Sequence, residues 1–185
     1  MNESLPRIAV FFDGGNTYFK LRSLRIQRLL SFNYAGLAVW LARDRSIVFR
    51  GYYIGTVRAA QKDEHAQRLR RDQQRLFAYL TSREQGFTMK HGYMMKNDGV
   101  YHEKGVDVQI AVDLLAGAYE NRYDSALLVS SDTDLIPAME KVRMMGKGVE
   151  YVGFSHQPSY AMMRYSTSPR LLIREDLLPF EAKEK

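Results

Sequence analysis

The stretch from Ala126 to Asp134, ALLVSSDTD, constrains the fold most, because four apolar residues give way at once to a run of short polar ones. Ala126, Leu127, Leu128 and Val129 lack the polar alternation of a half-exposed strand and predict one buried on both faces, as in a parallel sheet covered by helices. Ser130, Ser131, Asp132, Thr133 and Asp134 then mark the strand's carboxyl end, where open α/β sheets gather their ligands. A second apolar run, Arg7 to Phe12, stops at Asp13 and leads into Gly14, Gly15 and Asn16. A third acidic residue, Asp107, sits at the start of a helix expected over Val106 to Tyr119.

Three separated segments thus each place an aspartate at the end of an element, where it helps no core. Carboxylates held together repel by about 4 kcal/mol at 4 Å when the effective dielectric is near 20, unless a cation lies between them. With no Arg or Lys matched to the acids, oxygen ligands of this kind imply a hard divalent ion, Mg²⁺ or Mn²⁺, rather than Zn²⁺. The chain has no cysteine, which removes disulfides, thiolate metal sites and thiol nucleophiles. Its His residues show no zinc-hydrolase spacing, and no GxxxxGK(S/T) phosphate loop occurs. Asp13 resembles the nucleophile of aspartyl-phosphate enzymes, but the second Asp they need two residues on is Gly15 here.

A chain of 185 residues with 45% hydrophobic and 26% charged residues is expected to form one domain, with a short solvated tail from about residue 180. No signal segment or membrane span is apparent, which predicts a cytoplasmic protein. The net charge of +6 favours a polyanionic partner.

In order along the chain, the pattern predicts a strand over Arg7 to Phe12 and a helix over about Thr17 to Leu30 with Asn16 as its cap. A helix over Tyr34 to Ala42 follows, capped by Asn33 and burying Trp40, then a strand over Ser46 to Gly55. A long polar helix over about Ala59 to Arg83 carries a basic face that includes Arg58 and Arg71, suited to a phosphate backbone or to simple solvation. Phe87 to Met95 and Val100 to Glu103 flank the turn residues Lys96, Asn97, Asp98 and Gly99 and predict a hairpin. Its mixture of aromatics with Lys90, Lys96 and the following Lys104 suits single-stranded nucleic acid. Exposed aromatics there are also compatible with a homodimer. Asp113 lies about 120° around the helix from Asp107, so the two cannot face one ion, and Asp113 is expected to point inward as a supporting acceptor. Pro137 opens a helix to about Met145, Val149 to Phe154 forms a strand, and Leu171 to Ile173 reads as an edge strand.

The motifs FFDGGN at 11–16, KGVDVQIAVDLL at 104–115 and SSDTDLIP at 130–137 come in the order of the NYN domains. By these three motifs the chain resembles that PIN-like nuclease group, which includes the bacterial LabA-like proteins. Phe154, Ser155 and His156 stand where the family often has a similar Ser-containing loop, and the segment from Gln157 departs from the family's usual pattern. The resemblance implies a three-layer α/β/α fold, a mainly parallel sheet with an inserted hairpin, and strands ending in Asp13 and Ser131 adjacent at the topological switch point. It also implies metal-dependent hydrolysis of phosphodiester bonds, of RNA before DNA. Asp13, Asp107, Asp132 and Asp134 would hold Mg²⁺ or Mn²⁺, with Asn16 on the scissile phosphate or a water, Ser131 and Thr133 assisting, and Lys104 on a flanking phosphate. The alternative is an RNA-binding regulatory module that keeps the acidic pocket and turns over little.

Overall fold

A computed structural model describes residues 5–56, 64–97 and 100–182, with residues 93–97 and 100–103 described by their backbone alone. Seven strands form one sheet in the order β4-β3-β2-β1-β5-β6-β7. They are β1 (Arg7–Asp13), β2 (Ser46–Thr56), β3 (Thr88–Asn97), β4 (Val100–Lys104), β5 (Ser125–Val129), β6 (Gly148–Phe154) and β7 (Ser168–Leu172). All pair in parallel except β4, which returns antiparallel on β3 as the expected hairpin. Asp98 and Gly99 of its turn lie outside the described residues.

The two apolar runs that predicted buried strands are the central pair. Along β1, Ile8, Val10 and Phe12 enter one core, while Ala9 and Phe11 enter the other. In β5 the same period of two sends Leu127 and Val129 one way and Ala126 and Leu128 the other. The first core is closed by the helices α1 (Gly14–Ser23), α2 (Tyr34–Ala42) and α3 (Glu64–Leu80), through Leu21, Leu37, Leu41, Leu76 and Leu80. The second is closed by α4 (Val106–Tyr119), α5 (Ile136–Met144) and α6 (Tyr160–Tyr165), through Ile110, Leu114, Met139, Val142 and Met162. A short helix α7 (Arg174–Leu177) returns to the first layer with Leu177. The result is the α/β/α sandwich that a sheet apolar on both faces demands.

From β1 the chain moves outward to β2 and β3, whereas β5 leads outward on the other side to β6 and β7. The crossover direction therefore changes between β1 and β5, which opens a crevice at their carboxyl ends. Their register places Phe12 opposite Val129. At the amino ends, Arg7 clamps the pair by a bidentate contact to Asp124, and that guanidinium holds the Asp124 carboxyl at about 2.

Several expectations need correction. The first helix ends at Ser23 and not near Leu30, because Arg25 and Arg28 adopt left-handed backbone angles of 58° and 52° that no helix tolerates. Its cap is Asp13, whose carboxylate accepts from the backbone N–H of Asn16; Asn16 is already inside the helix. Trp40 is 43% exposed, packed beside Phe180 with Arg170 over its ring, while Leu37, Ala38 and Leu41 fill the core. Asn33 does cap α2, accepting from the N–H of Gly36. The long polar helix is described from Glu64 and ends at Leu80. The short helix α6, capped by Ser159, has no counterpart in the sequence expectations. No helix among the described residues is long and apolar enough to cross a membrane.

Candidate functional site

The crevice between β1 and β5 is acidic because of how each strand ends. Asp13 closes β1 and is 8% exposed. Its two oxygens have separate tasks: Oδ1 accepts from the Asn16 N–H at 3.0 Å and Oδ2 accepts from the Ser130 hydroxyl at 2.8 Å. Gly14 follows because there is no room for a side chain: a Cβ would lie 2.5 Å from a Tyr52 ring carbon and 2.8 Å from the Tyr53 carbonyl oxygen. Asp13 is thereby pinned in place before α1 begins.

Ser130, the first residue after β5, is buried and links the two strand ends. It donates to Asp13 and accepts from the backbone N–H of Asp132 at 3.1 Å. Asp132 in turn caps the 3₁₀ turn Thr133–Leu135 by accepting from the N–H of Asp134 at 3.0 Å. Asn16 crosses from α1 to the same loop, where its Oδ1 accepts from the Ser131 N–H at 3.2 Å. The Ser131 hydroxyl meets the Tyr151 hydroxyl at 3.1 Å, bracing the loop against β6.

The third acid arrives from the hairpin. Gly105 takes a left-handed φ of 78°, which turns the chain sharply from β4 into α4 and sets Asp107 in that helix's first turn. Gly92 of β3 lies so close beneath this turn that a Cβ would touch Val106 and the Lys104 carbonyl. Asp13, Asp107 and Asp132, three residues distant in sequence, line one open cleft of about 450 Å³ together with Lys104. Burial raises the Asp13 pKa, and the negative charges of Asp132 and Asp107 raise it further, against the lowering effect of its two hydrogen bonds. Burial and the two neighbouring carboxylates thus disfavour the anionic form of Asp13. Among the described residues, no three carboxylate or imidazole side chains converge closely enough to clasp one ion by themselves.

The remaining candidates are dispersed. Thr133 and Asp134 are exposed beside the loop, and neither lines the cleft. Asp113 faces inward two turns along α4, where it accepts from the Tyr53 hydroxyl at 2.8 Å and from Gln109 and pairs with Lys90 at 3.1 Å. None of these partners belongs to the cleft. Burial and the adjacent Asp113 keep the Tyr53 phenol protonated far above its ordinary range. Lys90 is therefore engaged by a partly buried carboxylate. Arg71 is exposed on α3, in the layer opposite α4. Lys96 lies on β3 opposite Tyr101, and Arg58 falls outside the described residues.

Ser130 is the supporting residue that sequence reasoning missed in favour of Ser131. Two adjacent serines after an apolar run do not reveal which one faces the neighbouring strand; the pairing of Phe12 with Val129 decides it.

The model of the NYN domain family matches residues 7–169. The fold is similar to the crystal structure of a protein of unknown function from Vibrio parahaemolyticus. The TM-score is 0.64 and the identity 19%, over 96% of this chain and 98% of that one. At that identity the likeness concerns the fold. No curated protein matches the chain.

Proposed function

The chain belongs to the NYN domain family of PIN-like nucleases, and from that premise we propose that it is a metal-dependent ribonuclease whose active site is the cleft of Asp13, Asp107 and Asp132. The observation that carries the reading is the meeting of these three acids, from three distant segments, at the switch point of the sheet.

The donor set suits a hard cation. All the candidate ligands are oxygens, and the anionic form of Asp13, which burial and repulsion disfavour, would be stabilised by a cation nearby. Mg²⁺ keeps several waters and takes only one or two carboxylates directly, so three acids around an open cleft, without a closed cage, agree with it. Asp13, Asp107 and Asp132 would hold Mg²⁺ or Mn²⁺, with Asp134 reaching it through water. When bound, such an ion supplies Lewis acidity that acidifies a water and offsets charge on the phosphoryl oxygens.

The chain's own groups do the positioning. Ser130 fixes the orientation of Asp13 and the loop of Asp132 at once. With its carbonyl oxygen committed to Ser131, Asn16 has its side-chain NH₂ as a donor for a non-bridging phosphate oxygen. Lys104, on the rim, offers a cation to a flanking phosphate. RNA is favoured by the family, and the net positive charge favours a polyanionic substrate.

The test is cleavage of end-labelled single-stranded RNA and of the matching DNA in Mg²⁺, Mn²⁺ or excess EDTA. Cleavage of RNA in either metal, abolished by EDTA and weaker for DNA, is the expected outcome. RNA bound but uncut in every metal would instead favour a binding module.

A further inference from the structure

On the far side of Asn16 from the acidic cleft, α1 presents a second polar contact with the sheet's carboxyl edge. Lys20 donates from Nζ to the backbone carbonyl and the side-chain Oε1 of Gln157, both at 3.0 Å, in the loop that follows β6. Beside it, His156 Nε2 lies 2.6 Å from the Ser23 hydroxyl. Ser23 donates its single proton to the Lys20 carbonyl at 2.8 Å, so His156 Nε2–H is the donor between them. The ammonium is thus held by neutral oxygens, and among the described residues no carboxylate pairs with it. Two of its three protons are used, and among the described residues the third meets no acceptor. Desolvation lowers the pKa of Lys20, and the Lys20 charge adds to desolvation in lowering that of His156, as expected where positive charge lacks an anion.

Asn16 and Lys20 are four residues apart on one face of α1, about 6 Å along the axis, which is on the order of one nucleotide step of a nucleic-acid strand. Asn16 touches the Ser131 loop and Lys20 touches the next loop outward, after β6. A strand whose scissile phosphate sits at the cleft and continues across the ends of β5 and β6 passes over Lys20.

We propose that Lys20, braced by the His156–Gln157 loop, is a positioning residue that binds a backbone phosphate of the RNA strand one or two nucleotides from the bond cut at the acidic cleft. The proposal rests on the nuclease reading and extends it to the direction the strand takes. The loop keeps the ammonium in place before substrate arrives, which limits the ordering cost of binding.

Binding of a fluorescent single-stranded RNA decamer is measured in Mg²⁺ across a range of salt concentrations, with the Asp132→Asn protein, to prevent turnover, as the reference. Adding Lys20→Gln should weaken binding several-fold at low salt and make the slope of log K against log salt shallower by about 0.7, the value of one single-strand phosphate contact. Lys20→Arg should keep the slope. In the otherwise unchanged protein, Lys20→Gln should leave hydrolysis of bis(p-nitrophenyl) phosphate, which has no flanking phosphate, at the parent rate. An unchanged salt slope, whether or not the melting temperature falls, would reduce Lys20 to a staple between α1 and the loop and overturn the proposal. So would failure of the reference protein to bind RNA. Because the slope needs no turnover, a protein that binds RNA and cleaves none would sink the nuclease reading while the slope still decides on Lys20.

Discussion

Asp132→Asn should lower kcat for RNA cleavage by on the order of 10²-fold or more while leaving RNA binding and the melting temperature close to those of the parent protein. The substitution is conservative in shape. An asparagine carbonyl can still accept from the Asp134 N–H, so the 3₁₀ turn keeps its cap, and the Ser130 bond to the residue 132 N–H is a backbone contact that survives. What is lost is one negative charge facing the cleft shared with Asp13 and Asp107. Removing a single preorganised electrostatic group from an active site costs about 10²–10³-fold in kcat, and a weakened ion adds to that. A variant with parental kcat would place the chemistry elsewhere. A variant that melts far below the parent would show that Asp132 holds the loop together instead.

Gly14→Ala is expected to be strongly damaging for a single added methyl group, against the usual direction for a helix. At an unobstructed helical position, alanine gains roughly 0.5–1 kcal/mol over glycine. Here the added Cβ would stand 2.5 Å from Tyr52 Cε1 and 2.8 Å from the Tyr53 carbonyl oxygen. Both tyrosines are fully buried, and the Tyr53 backbone is paired in register with Asp13, so neither neighbour can yield cheaply. Overpacking of this kind costs about 1–3 kcal/mol, more than the helical gain. In a chain of this size that corresponds to a melting temperature lower by roughly 2–10 °C. Relief of the clash pushes the start of α1 away from β2 and takes Asp13 with it, so cleavage should fall by more than the loss of folded protein explains. Thermal melts of the purified variant beside its kcat check both parts; an alanine variant as stable and active as the parent would refute the packing account.

The central strands were legible because burial on both faces leaves a continuous apolar run; one run stops at Asp13 and the other at two serines just before Asp132. The third acid was legible from KGVD at a helix start. Distance along the chain hides what brings the three together: the order of β1 between β2 and β5 comes from crossovers, and Ser130 matters only through its register with Asp13. The misread first helix shows the limit of periodicity. Leu24, Leu29 and Leu30 continue an apolar pattern, but the chain breaks at Arg25 and Arg28, packs Leu24 from a loop and Leu29 from a 3₁₀ turn, and leaves Leu30 exposed. Trp40 misled by its size, since α2 had smaller residues enough to fill the core. Asp113 shows how an inward carboxylate can serve packing: its partners are Tyr53, Gln109 and Lys90, a pairing no spacing in the sequence announces.

The central claim is that the three acids form one cation site, and Mn²⁺ titration followed by electron paramagnetic resonance, in the parent protein and in Asp13→Asn, tests it most directly. Asparagine at 13 keeps an acceptor oxygen for the Asn16 N–H, and its NH₂ can donate to the Ser130 hydroxyl oxygen in place of the bond that Asp13 accepts, so the fold is expected to persist while the carboxylate is removed. The predicted result is saturable Mn²⁺ binding by the parent, displaced by Mg²⁺ and weakened at least tenfold in Asp13→Asn. Equal binding by the two proteins, or none by the parent, would contradict it.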